Sequence, residues 1–104
     1  MGSYRRKLDI IADILNVAME GAKKTQIMYR ANLSYKVFTK YLTEVMEACL
    51  LRFEHGKRCY VLTSKGREFL NRYKEYSRRN RHVERQLNDV EVKKKALEEL
   101  CSSG

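Results

Sequence analysis

Phe69, Tyr73, Tyr76, Asn80, Val83, Leu87, Val90, Lys94, Leu97 and Cys101 follow one another at alternating steps of four and three residues. A 3.5-residue period kept up over four heptads is the pattern of a coiled coil. A seam this narrow cannot be buried by the helix that carries it, so it asks for a second copy of the chain. These ten residues are the expected dimer interface, on a C-terminal coiled-coil helix placed at 64–101.

Upstream, residues 1–66 read as one small domain. Ser3 is placed to cap a first helix whose Leu8, Ile11, Ile14, Leu15, Ala18 and Met19 share a face, with Gly21 suited to its end. Thr25 is expected to cap a short helix, Gln26 to Ala31, with Ile27 and Met28 inward. Asn32 and Leu33 then make a tight turn, and Ser34 caps a longer helix reaching about Ala48. Two helices joined by so short a turn form a helix-turn-helix. Leu50 to Glu54 and Cys59 to Thr63 alternate apolar residues around the polar tip His55-Gly56-Lys57-Arg58, which reads as a β-hairpin. A hairpin directly after a recognition-type helix is the wing of a winged helix. Thr63 or Ser64 caps the tail helix, and Gly66 in its first turn lets the helix start lie close to the hairpin. The expected fold is therefore mainly α with a small β-hairpin wing: a winged helix-turn-helix followed by a long C-terminal coiled-coil helix.

Charge says what such a domain meets. The chain carries 22 Lys and Arg against 13 Asp and Glu, a net +9 on 104 residues. Residues 1–62 hold 11 basic and 6 acidic side chains, 63–85 hold 8 and 3, and 86–104 hold 3 and 4. The positive field covers the globular part and the first half of the tail, then stops. That points to a polyanion, most often nucleic acid and less often an acidic membrane surface; on this fold double-stranded DNA is the expected partner. The long apolar run of a membrane span or secretory signal is missing, and three cysteines without a Cys-x-x-Cys pair suit a reducing, cytoplasmic setting.

The motifs Tyr29-x-Ala31-Asn32-Leu33-Ser34-Tyr35, Tyr41-Leu42 and Tyr60-Val61-Leu62-Thr63-x-Lys65-Gly66, followed by the heptad helix, resemble the Sulfolobus 10a family of small archaeal DNA-binding proteins. The resemblance runs from Leu8 to the end of the heptads. It implies a winged-helix dimer joined through an antiparallel coiled coil, binding DNA in a chromatin (nucleoid-associated) or regulatory role.

A recognition helix buries one face and shows the other to the major groove. Phe38, Tyr41, Leu42, Val45 and Cys49 share the inner face, led into by Leu33, and Tyr35, Lys36, Thr39, Lys40 and Thr43 lie opposite. Lys36 and Lys40, four apart, suit two phosphates or one phosphate and a guanine edge. Lys57 and Arg58 at the wing tip suit a minor groove or its phosphates, while His55 shapes the turn. Arg5, Arg6 and Lys7 oppose the dipole of the first helix, which either a nearby phosphate or a disordered basic terminus would account for. Lys23, Lys24 and Arg30 flank the short second helix and complete the expected DNA-binding set. Arg72, Arg78, Arg79, Arg81 and Arg85 on the tail serve solubility first.

Catalysis lacks a constellation. His55 and His82 lie far apart, a glycine-rich phosphate loop is missing, and Cys49, His55 and Cys59 have no fourth metal ligand. Cys49 and Cys59 read as small core hydrophobes. No cofactor, metal or small-molecule ligand is expected, and the chain does not read as an enzyme.

The seam also has a direction. A parallel pair sets Lys94 against Lys94, whereas an antiparallel pair whose facing numbers sum to 170 sets Tyr76 against Lys94, Asn80 against Val90 and Val83 against Leu87. A Lys94–Tyr76 cation–π contact contributes about 0.5–1 kcal/mol. Arms of about twenty residues at 1.5 Å each would hold two winged helices roughly 60 Å apart. That exceeds the ~34 Å between adjacent half-sites, so bridging or bending DNA is expected over reading one compact palindrome. A sequence-specific winged-helix regulator, and a protein-interaction winged helix without DNA binding, are the competing readings.

Overall fold

The computed structural model describes residues 5–102. Helix α1 spans Lys7–Val17 and runs into a 3₁₀ turn, Ala18–Glu20; α2 is Lys24–Arg30 and α3 Tyr35–Glu47. Strands β1, Leu51–Glu54, and β2, Cys59–Leu62, precede α4, Ser64–Cys101. This is the expected winged-helix order.

Two helix starts differ from expectation. Ser3 lies outside the described residues, and α1 begins at Lys7 with Arg6 as its N-cap, where the carboxylate of Asp9 accepts the Arg6 N–H at 3.1 Å. Likewise α2 starts one residue before Thr25, with Lys23 as N-cap and Gln26 Oε1 accepting its N–H at 3.0 Å. In both, a third-position side chain reaching back does the capping, and that works with any residue at the cap. At α3 the expected cap is present: Ser34 Oγ accepts the Val37 N–H at 3.3 Å.

Both helices of the helix-turn-helix end in a left-handed residue that is not glycine. After α2, Asn32 has φ 55°, and the N–H groups of Asn32 and Leu33 return to the carbonyls of Tyr29 and Met28 at 3.1 Å each. After α3, Cys49 has φ 61°, with bonds from Cys49 to Met46 and Leu50 to Val45 at 3.1 and 2.9 Å. These are paired C-terminal closures of the Schellman type. The second turns Cys49 out to solvent and sends Leu50 into the core, so Cys49 is not the core residue its helical spacing suggested; Cys59 is only half-buried.

The core is continuous through the three short helices and the hairpin. Ile14, Leu15, Ala18, Ile27 and Val45 are completely buried, and Phe38, Leu51, Leu62 and Leu70 nearly so. On α1, Ala12 is inside, while Leu8 and Met19, at the ends of the expected stripe, stand about two-fifths exposed. Strands β1 and β2 pair antiparallel with Leu51 opposite Leu62 and Phe53 opposite Tyr60. Ala22, between α1 and α2, adds two backbone bonds to Tyr60 at 3.0 and 2.8 Å, anchoring the hairpin to the helices.

The segment Leu62-Thr63-Ser64-Lys65-Gly66 staples the end of α3 to the start of α4. Thr63 Oγ1 donates toward the carbonyls of Cys49 (2.6 Å) and Leu50 (3.1 Å) and accepts the Gly66 N–H at 3.0 Å. Lys65 Nζ caps the Ala48 carbonyl at 2.7 Å, a cation placed at a helix C-terminus. A Cβ on Gly66 would lie 2.3 Å from the Leu50 oxygen.

The first compact unit runs to Tyr73. Leu70 is in the core, Phe69 and Tyr73 pack against it, and the Tyr73 hydroxyl donates to Asp9. Residues from Lys74 form a second unit, helical to Cys101, in which every large apolar side chain is exposed.

Candidate nucleic-acid interface

The outer face of α3 is open. Tyr35 is 68 % exposed, and Lys36, Thr39, Lys40 and Thr43 are exposed beside it. The opposite face is fixed by Phe38, Leu42 and Val45, all buried, so the helix cannot roll without emptying the core. Lys36 has no partner among the described residues, and Lys40 Nζ stands 5.4 Å from the centroid of the Tyr41 ring. Thr39 Oγ1 donates to the Tyr35 carbonyl at 2.8 Å and Thr43 Oγ1 to that of Thr39 at 3.0 Å. With their protons so engaged, both threonines present a methyl group and acceptor lone pairs outward. Acidic residues enter α3 only at Glu44 and Glu47, near its end.

The wing tip, residues 55–58, exposes Lys57 and Arg58. Its left-handed residue is Arg58, at φ 51°, and not Gly56. Below the tip, the Phe53 ring meets His55 edge-on at 5.0 Å and Tyr60 at 5.1 Å, so His55 braces the turn.

Arg5, Arg6 and Lys7 do not come together as one cationic group. Arg5 forms an ion pair with Asp13 at 2.9 Å and donates to the carbonyls of Ala31 (2.7 Å) and Asn32 (2.8 Å). It thereby ties the α2–α3 turn to α1. Lys7 Nζ lies 3.4 Å from Glu44 Oε2, a buried oxygen that no hydrogen bond completes. Arg5 is thus engaged within the fold, Lys7 stays 60 % exposed beside its ion pair, and Arg6 occupies the exposed cap position. Lys23 and Lys24 are exposed at one end of α2 and Arg30 at the other, about 10 Å apart along a seven-residue helix.

In the second unit the side chains expected at a dimer seam form an exposed row: Tyr76 is 46 % exposed, Val83 50 %, Leu87 61 %, Val90 60 % and Leu97 65 %. Asn80 bonds Glu84 Oε1 at 3.3 Å, and Lys94 and Cys101 are exposed. Phe69 and Tyr73 belong instead to their own domain's core cluster, so the exposed row starts at Tyr76. Sequence periodicity cannot make that division, because both surfaces demand apolar side chains at the same step. No described helix is long and apolar enough to cross a membrane.

Comparison with known proteins agrees with this geometry. A crystal structure of Sso10a-2, a DNA-binding protein from Sulfolobus solfataricus, aligns with 96 % of this chain and 100 % of that one at a TM-score of 0.62 and 24 % identity. That likeness is one of fold, and it is the fold implied by the resemblance to the Sulfolobus 10a proteins. An uncharacterised protein of Methanocaldococcus jannaschii is 39 % identical over 75 residues, which are 71 % of this chain but 35 % of that protein. The chain thus spans about a third of the length of that relative. A family model described as winged helix-turn-helix matches residues 4–81, about three quarters of the length, and the chain belongs to the winged helix-turn-helix family.

Proposed function

We propose that this protein binds duplex DNA without catalysing a reaction on it, and that two copies joined through α4 organise the duplex by bridging or bending it. The observation that carries the reading is the outer face of α3. Tyr35, Lys36, Thr39, Lys40 and Thr43 are exposed there, and no carboxylate stands among them. The wing cations Lys57 and Arg58 add a second point of attachment, and the fold likeness to a DNA-binding protein of Sulfolobus supports the reading. Lys23, Lys24, Arg30 and Arg6 are proposed as flanking phosphate contacts, whereas Arg5 is assigned to packing and Lys7 to its ion pair with Glu44.

The apolar row from Tyr76 to Leu97 is proposed as the dimer seam, antiparallel because that arrangement separates the two Lys94 side chains. Such a dimer would hold its reading heads roughly 60 Å apart, within reach of grooves about two turns apart or of two duplexes. A nucleoid-associated place in the cytoplasm goes with that role.

Binding to a specific and a scrambled duplex across a salt series tests the reading. An organiser binds both with similar affinity and a steep salt slope, and Lys36→Gln with Lys40→Gln lowers that slope by about two. A slope near zero would favour a protein-interaction module. A footprint confined to two half-sites one turn apart would remove the bridging geometry.

A further inference from the structure

Beyond Tyr73, α4 carries a second periodic row besides the apolar one. Lys74, Arg78, Arg81 and Arg85 follow at steps of four, three and four, within about 60° of arc at 3.6 residues per turn. They lie on the side of the helix away from Tyr76, Val83 and Leu87, so whatever covers the apolar row leaves them open. All four are exposed.

Three other cations of α4 are ion-paired, whereas Arg67, Lys94 and Lys95 enter none of the ion pairs among the described residues. Arg72 pairs with Glu68 at 2.9 Å, Arg79 with Glu75 at 3.1 Å and Lys93 with Asp89 at 3.2 Å, each across one helical turn. None of the ion pairs among the described residues includes Lys74, Arg78, Arg81 or Arg85. Among the described residues Arg81 alone of the four makes a polar contact, a 3.5 Å approach of Nε to its own helix at Ser77 O. The row continues past Arg85 as Asn88, Val92, Lys95 and Glu99, so its single-sign stretch is confined to 74–85.

Solubility does not require this arrangement, since mixed charges serve it as well. Successive like charges three and four residues apart destabilise the helix that carries them. A bound polyanion reverses that cost. The stretch rises about 16 Å, with a cation every 4.5–6 Å, and suits a run of backbone phosphates.

We infer that Lys74, Arg78, Arg81 and Arg85 form a second duplex-binding surface, separate from α3 and the wing, which grips phosphates and reads no base. The inference rests on the DNA-binding function proposed above. It makes the tail a contact surface as well as a spacer.

The test uses the full chain and a random-sequence duplex, with affinity measured across salt. The row variant is Lys74→Gln/Arg78→Gln/Arg81→Gln/Arg85→Gln, and the control is Arg72→Gln/Arg79→Gln/Lys93→Gln on the ion-paired positions. Glutamine keeps the helix propensity, and circular dichroism verifies helix content. The row variant is expected to reduce the slope of log affinity against log salt by three to four, at about 0.9 per phosphate contact, and the control by less than one. Should the row variant lose helix, Arg78→Gln and Arg81→Gln are measured singly, each expected to lower the slope by about one. An unchanged slope in the row variant, with a lowered one in Lys36→Gln/Lys40→Gln, overturns the second surface and leaves DNA binding standing. Equal loss per charge in row and control also overturns it, because net charge alone would then be responsible. Salt-independent or absent binding by the unaltered protein removes both readings.

Discussion

Gly66→Ala sets helix propensity against packing, and the two predict opposite signs. In an exposed helix, replacing Gly by Ala stabilises by about 1 kcal/mol. Here the new Cβ would stand 2.3 Å from the Leu50 carbonyl oxygen and 2.8 Å from Leu62 Cδ1. Neither neighbour gives way cheaply. The Leu50 oxygen is held by the Thr63 N–H at 3.1 Å and approached by the Thr63 hydroxyl, and Leu62 is buried in the core. Relief requires α4 to back away by roughly an ångström. Overpacking of this kind costs about 1–3 kcal/mol, and each hydrogen bond loosened at Thr63 adds about 1 kcal/mol. The net expectation is a loss of about 2–4 kcal/mol, which lowers Tm by roughly 10–25 °C for a domain of this size. The assay is thermal and urea unfolding by circular dichroism at one fixed protein concentration, since the proposed dimerisation would make stability concentration-dependent. Asn71→Ala, at an exposed position of the same helix, isolates the propensity effect and should stabilise by a few tenths of a kcal/mol. A Gly66→Ala protein as stable as the parent would refute the close approach of α4 to the end of α3.

Lys65→Met should cost about 1 kcal/mol of stability by uncapping Ala48 O, while leaving the salt slope of DNA binding unchanged; a lowered slope would make Lys65 a DNA contact. Arg58→Gly releases a left-handed arginine and should raise stability by about 0.5–1 kcal/mol, yet lower the salt slope by about one; unfolding and titration together check both signs. Leu87→Asp places a charge in the proposed seam and should turn the dimer into a monomer by light scattering, with the Tm of the winged-helix unit retained. Mild oxidation of the parent should give little Cys101–Cys101 crosslink within the dimer, and an efficient one would establish parallel tails.

Features resting on local chemistry were legible in the residues themselves. The inner face of α3, the Ser34 cap, the pairing of β1 with β2 and the need for glycine at 66 all follow from spacing, capping chemistry or turn composition. Each involves neighbours within a few positions, or a periodicity that burial imposes. The candidate site was legible to the same extent: the face carrying Lys36 and Lys40 is set once Phe38, Leu42 and Val45 are inside.

Cation roles were not legible in this way. Arg5, Lys7, Lys65 and Lys36 look alike in a sequence. Arg5 nevertheless binds carbonyls 26 and 27 positions away, Lys65 caps a helix 17 positions back, and Lys36 has no partner among the described residues. Cys49 fitted an apolar stripe, but the left-handed closure of α3 turned it outward.

The sequence by itself determined the order of elements, the outer face of α3 and the presence of an apolar row in the tail, because periodicity and caps act over one or two turns. Only the tertiary structure decided where that row stops being core, at Tyr73, and which cations are engaged within the fold. Those outcomes depend on partners that chain folding brings together from 8 to 64 positions apart.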